Sequence, residues 1–249
     1  MHENKIEEQD VLNFALNLEY MEAEFYTYAI TGKSITSFGT GIKGRANGSN
    51  PTDGGRTAGA RQVTFSDSVI RDMAAEIGAN ERAHVVLLRG ALGSAAVAMP
   101  NIDLSALGFG FDNQNDFLRV ARILEDVGVT AYAGAAGFLK TPDIITAAAG
   151  LLGAEAEHAA GIRTQIARLQ IPTTALDGVD LIPPPSGQPN QVFSIDISNG
   201  LVAARTPGQV LCLAFGGKVG VKQGGFFPNG LNGAVTTSTE PAKASKVAA

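Results

Sequence analysis

Apolar residues recur at three- and four-residue spacing in four stretches of the chain, and each stretch predicts an amphipathic helix. The first runs from about Glu8 to Ile30 and aligns Leu12, Ala15, Glu19, Glu22, Tyr26 and Ala29. A second starts under a hydroxyl cap between Thr64 and Asp67 and puts Met73, Ile77, Glu81, His84 and Leu88 on one face. Gly90 and Gly93 mark its end. The third, with Asp112 as its expected cap, aligns Leu118, Ala121, Glu125, Gly128 and Tyr132. Thr141-Pro142-Asp143 offers a cap, a proline at the first helical position and an acidic first turn for the fourth. That helix carries Ile144, Ala148, Leu151, Glu155, His158, Ile162, Ile166 and Leu169 on one stripe, and Pro172 closes it.

The periodicity lapses between these helices. Residues from Gly32 to Gly59 are rich in Gly, Ser, Thr and Asn and read as a long loop or insertion. Ser94 to Phe111, with Pro100 and Gly108, reads as a crossover between the second and third helices. The expected organisation is a helical bundle over residues 1–172, with an insertion at 32–63, and an extension at 173–249 packed on it. The extension holds Pro183-Pro184-Pro185, an alternating run from Val192 to Ile197 and a short helix from Thr206 to Phe215. Its last dozen residues, rich in Ser, Thr, Lys and Ala, are expected to be disordered.

Composition narrows the class. The 249 residues are 45% hydrophobic and 17% charged, enough for a substantial core. A net charge of −5 and the lack of a basic block argue against a nucleic-acid partner. No apolar run approaches the roughly 20 residues that span a bilayer. The polar, acidic start MHENKIEEQD carries no export signal, which leaves room for a signal removed before this numbering begins. The one cysteine, Cys212, cannot form an internal disulfide and reads as a buried apolar residue.

The chemistry lies in the helical stripes. Two of the three histidines belong to Glu-x-x-His pairs, Glu81–His84 and Glu155–His158; the third, His2, is uninformative. Residues three apart share a helix face, so each pair can bind one metal ion. Glu19 and Glu125 add two more inward carboxylates, and each is followed seven positions later by a tyrosine, Tyr26 or Tyr132. An unpaired buried carboxylate costs several kcal/mol or takes up a proton. Two divalent cations would balance four such carboxylates. Glu22, one turn from Glu19, is left open as a further ligand, a proton relay or a surface residue. Glu24 and Glu157 fall on other faces and are expected in solvent. Tyr26 and Tyr132 are either plain core aromatics or hydrogen-bond donors to the carboxylates. Gly128, one turn beyond Glu125, leaves space for a small oxidant or serves helix contact. The Glu19–Glu81 interval is 62 positions and the Glu125–Glu155 interval 30. The excess of 32 is the length of the insertion, so the chain reads as two helix–helix halves.

One Glu from each of two helices with one Glu-x-x-His from each of the others is the arrangement of di-iron and di-manganese carboxylate bundles. The segments Asn17-Leu18-Glu19, Asn80-Glu81-Arg82-Ala83-His84, Leu124-Glu125 and Glu155-Ala156-Glu157-His158 resemble the ligand helices of the ferritin-like superfamily. More narrowly, residues 16–26, Glu81-Arg82-Ala83-His84 and Gly224-Gly225-Phe226-Phe227-Pro228-Asn229-Gly230 resemble the ferritin-like desiccation-related proteins. The resemblance implies an all-α, ferritin-like four-helix bundle with a long crossover and an irregular C-terminal wrap. It also implies a dinuclear metal site, often in exported, stress-associated proteins.

The expected function is a stress-associated metalloprotein that handles O2 or H2O2 in a catalase-like or ferroxidase-like reaction. Its cofactors would be two Fe or two Mn ions, which these ligand types do not separate. The rival reading is a non-catalytic protective protein on the same frame, with structural metal or none. Pairing along bundle sides makes a homo-oligomer a further expectation.

Overall fold

The computed structural model describes residues 6–46, 51–187, 189 and 191–245. His2 and the last four residues of the expected disordered end lie outside them. Four long helices form the all-α bundle that the periodicity predicts: α1 (Glu8–Thr31), α2 (Ser68–Leu92), α3 (Gln114–Ala135) and α4 (Pro142–Arg168). α1 packs chiefly on α2, and α3 chiefly on α4. The long crossover between α2 and α3 joins the two pairs. Among the described residues no helix is long and apolar enough to cross a membrane.

Helix ends show where local sequence chemistry differs from expectation. The Asp67 carboxylate, not a hydroxyl, accepts from the Val69 amide at 2.9 Å to cap α2. Asn113, not Asp112, caps α3 by accepting from the Asn115 and Asp116 amides at 2.9 and 3.0 Å. Asp112 instead pairs with Arg61 of the insertion. Thr141 does not cap α4 with its side chain. Its hydroxyl and amide both donate to Glu8 of α1, at 2.7 and 2.9 Å. Glu8 thereby sets the starts of α1 and α4 side by side.

The insertion is more structured than a loop. β1 (Gly44–Arg45) pairs antiparallel with β2 (Pro51–Thr52), and β3 (Thr57–Ala58) pairs in parallel with β4 (Ile102–Asp103) of the crossover. The backbones approach so closely that a Cβ on Gly55 would lie 2.4 Å from the Pro100 carbonyl. The glycines predicted a loop; they serve backbone-on-backbone packing.

The extension wraps the bundle. It contains a hairpin, β5 (Ile195–Asp196) with β6 (Leu201–Val202), and a short helix, α5 (Pro207–Ala214). Phe215, Phe226 and Phe227 enter the main core beside Val210 and Leu211. Asn17 of α1 donates to the Asn232 carbonyl at 2.8 Å and accepts from its amide at 3.1 Å. Residues 238–245, expected to be disordered, are held: Ser238 and Ala244 are buried, and Ala204 and Ser245 exchange backbone hydrogen bonds. Composition missed this because the partners, among them Ala204, Arg205, Lys218 and Val221, lie elsewhere in the extension. Cys212 is buried, as expected.

The seam between α3 and the extension depends on Gly134, where a Cβ would lie 1.9 Å from the Arg205 carbonyl oxygen. The expected outcome for Gly134→Ala is a loss of about 1–3 kcal/mol, the usual cost of overpacking. Urea unfolding checks it, and an unchanged midpoint would show that this seam carries no weight.

Candidate metal centre

The inward stripes of the four helices converge at mid-bundle. Glu19, Glu22 and Tyr26 come from α1, Glu81 and His84 from α2, Glu125 and Tyr132 from α3, and Glu155 and His158 from α4. Glu81, Glu125 and Glu155 are 0% exposed, and Glu19 is 1% exposed. The six residues singled out by spacing form two overlapping groups. Glu19, Glu81, His84 and Glu155 bring one ligand atom each within 4.8 Å of one another, and Glu81, Glu125, Glu155 and His158 do the same. Glu81 and Glu155 belong to both groups.

The donor set fits a pair of hard divalent cations. Both carboxylate oxygens of Glu81 and of Glu155, and one of Glu125, have no hydrogen-bond partner among the described residues. The Nδ1 atoms of both histidines face these oxygens. His84 Nδ1 lies 3.2 Å from Glu19, 3.3 Å from Glu81 and 3.6 Å from Glu155. His158 Nδ1 lies 3.0 Å from Glu81 and 3.4 Å from Glu125. The close approach of His158 to Glu81 is an ion-pair distance without hydrogen-bond alignment. Buried oxygens so exposed to one another and so poorly bonded are what a cation stabilises.

Two tyrosines cross between the halves. Tyr26 of α1 donates to Glu125 of α3 at 2.5 Å, and Tyr132 of α3 donates to Glu19 of α1. The Asn80 side-chain amide sits 3.2 Å from the other ring nitrogen of His158, Nε2, and fixes that ring. Spacing gave no role to Asn80, although it precedes Glu81 directly. Gly128 leaves room for a carboxylate, because a Cβ there would lie 2.1 Å from Glu155 Oε2.

Two neighbouring glutamates resolve differently. Glu22 is buried, so the surface reading is excluded, and it stands outside both ligand groups. Burial, then the charges of Glu81, Glu125 and Glu19, hold its carboxyl well above the usual range. Glu24, expected in solvent, is buried and accepts from Ser34 Oγ at 2.7 Å. Burial pushes it up to about 7 despite that bond. Helical period could not reveal this, because the insertion folds over that face of α1. Glu157 is exposed, as expected.

The ferritin-like domain model matches residues 7–168, about two thirds of the chain. The chain belongs to the ferritin-like family. It is 32% identical over 170 residues to desiccation-related protein PCC13-62 of Craterostigma plantagineum, covering 61% of this chain and 51% of that protein. The chain thus matches about half the length of that relative. It is 26% identical over 277 aligned positions to ferritin-like catalase Nec2 of Nesocodon mauritianus, covering 94% of this chain and 87% of that protein.

In metal-free protein, protons carry the compensating charge. Burial alone would lower the histidines, but Glu19 and Glu81 raise His84, and Glu125 and Glu81 raise His158, each to about 10. Burial pushes Glu81 up, yet His158 and His84 outweigh it and hold Glu81 at about 2. Burial and the Glu81 charge lift Glu19 to about 7. Groups raised on folding stabilise below their ordinary value and lose that contribution as pH climbs through the folded value. Chelator-treated protein is therefore expected to lose melting temperature from pH 4.5 to about 7 through Glu19 and from pH 6.5 to about 10 through the imidazoles. Glu81 adds no change in that window, since its contribution is lost only as pH falls from 4.5 through about 2. A melting temperature that rises across the alkaline half would overturn the assignment.

Proposed function

We propose that the chain is a dinuclear non-haem metalloprotein that handles peroxide or oxygen, with Glu19, Glu81, His84, Glu125, Glu155 and His158 holding two iron or manganese ions. The observation that carries the reading is the overlap of the two ligand groups. Glu81 and Glu155 belong to both groups, while Glu19 with His84 and Glu125 with His158 belong to one each. Four carboxylates balance two divalent ions. Bound there, the ions would supply reversible two-electron exchange with a small oxidant.

The chain's own residues do the rest. Tyr132 and Tyr26 hold one oxygen each of Glu19 and Glu125; the second oxygen of Glu19 meets His84 Nδ1 at 3.2 Å, and that of Glu125 has no hydrogen-bond partner among the described residues. Glu22 keeps a proton at its carboxyl beside Gly128, between the ligand carboxylates and the apolar wall. Disproportionation of two H2O2 to two H2O and O2 takes up two protons in one half and releases two in the other. Glu22, a single carboxyl, can lend and reclaim one proton of each pair. The relative described as a ferritin-like catalase supports this chemistry, and the desiccation-related relative supports a stress setting.

Elemental analysis of purified protein should give about two Fe or Mn per chain, with H2O2 disproportionation on loading. The double variant Glu81→Ala/Glu155→Ala should lose both metals while keeping its helical circular dichroism. Tyr132→Phe should weaken metal binding about 10- to 100-fold, as expected when a ligand's hydrogen-bonding partner is removed. Unchanged metal content in the double variant would refute the ligand set. A metal-loaded protein inert towards peroxide and O2 would favour the protective, non-catalytic role.

A further inference from the structure

A cavity of about 180 Å³ lies between α1, α3, α5 and the crossover. Its walls are apolar, built from Leu18, Ile123, Leu124, Val127, Leu213 and Phe226. Among the residues lining it, Glu22 alone is ionisable. Glu22 is only 3% exposed, and among the described residues no hydrogen bond or ion pair engages its carboxyl, which looks onto the cavity. An unpartnered polar group so deeply buried is costly, and a ligand that hydrogen-bonds to it removes that cost. Gly128 also lines the cavity, beside Glu22. A second, smaller cavity of about 20 Å³ shares Leu18, Glu22 and Gly128 and reaches Glu19 and Tyr132 on its far side. Glu22 thus stands between an apolar chamber and the carboxylate cluster.

We propose that this cavity binds a small neutral organic molecule carrying one hydroxyl group, an aliphatic alcohol or a phenol, with its body in the cavity and its hydroxyl on Glu22. Size supports the body, because apolar cavities of about 150 Å³ take up benzene. Charge selects the head. A carboxylate head would have to leave water for walls that offer no cation to pair with it, so an anionic head is disfavoured. An ammonium head would have to pass the apolar walls without compensation. A hydroxyl can donate to or accept from a carboxyl and carries no charge. The site is built by α1, α3 and the C-terminal wrap and requires no bound metal.

Binding of 1-hexanol, phenol, benzene and hexanoate to the full chain, with and without metal, can be measured by saturation-transfer NMR and calorimetry. Metal content is determined on the same samples, so failure of the dinuclear assignment and failure of the cavity are read separately. Hexanol and phenol are expected to bind, and hexanoate is not. Val127→Phe and, independently, Leu213→Phe should fill the cavity and abolish binding of both alcohols. Glu22→Leu should weaken hexanol about tenfold, the value of one buried hydrogen bond, while benzene binding persists. The proposal is overturned if neither alcohol binds, if hexanoate binds as well as hexanol, if both filled variants still bind, or if Glu22→Leu leaves hexanol affinity unchanged.

Discussion

The bundle is organised around the mutual repulsion of five carboxylates that share one dry core. Glu19, Glu22, Glu81, Glu125 and Glu155 come from all four helices and are withdrawn from water together. No helix packing could hold them there uncompensated. Compensation arrives in layers: two imidazoles aimed inward, two tyrosine hydroxyls donated across the bundle, and either protons or cations for what is left. The crossover and the insertion follow from this. They bring four helices to one level and cover the faces of α1 that would otherwise admit water.

A second buried charge cluster performs a different task on an adjoining face of α3. Asp126, next to Glu125 in sequence, points away from the centre and meets Arg122 at 2.6 Å and Arg163 at 2.6 Å. Arg122 continues to Asp180 at 2.5 Å and Arg163 to the Val192 carbonyl at 2.6 Å, both in the wrap. Arg205 of the wrap in turn reaches Thr130 of α3 at 2.8 Å and Asp177 at 2.5 Å. Adjacent residues on one helix therefore serve two functions: one faces the candidate chemistry and the other clamps the extension over it. Breaking such a buried pair by removing one partner is far more damaging than its net contribution suggests.

The helices and the six central side chains were legible because both follow from helical period. Three- and four-residue spacing places Glu81 with His84, and Glu155 with His158, whatever the rest of the chain does. What could not be read depends on contacts distant in sequence. Glu24 looks solvated until the insertion closes over it, and Arg122 and Arg163 look like surface charges until the wrap arrives. Capping by Glu8 across two helix starts has no local signature at all. The error at Asp112 is of a different kind, since two adjacent residues were both able to cap and the one free of Arg61 did so. The order of residues 238–245 belongs with the long-range failures, because nothing within that segment specifies the surface that receives it.

The crossed tyrosines bear on how the chain comes off the ribosome. Tyr26 belongs to the first half and completes a carboxylate of the second; Tyr132 belongs to the second and completes one of the first. The α1–α2 hairpin emerges with Glu19 lacking Tyr132 and Tyr26 lacking Glu125, although Glu19 already meets His84 of α2. Closure has to wait until α3 has been synthesised, at which point both exchanges form together. The centre is therefore complete only when both halves are present, and a chain that stops short of α3 leaves Glu19 and Tyr26 without these cross-bundle bonds.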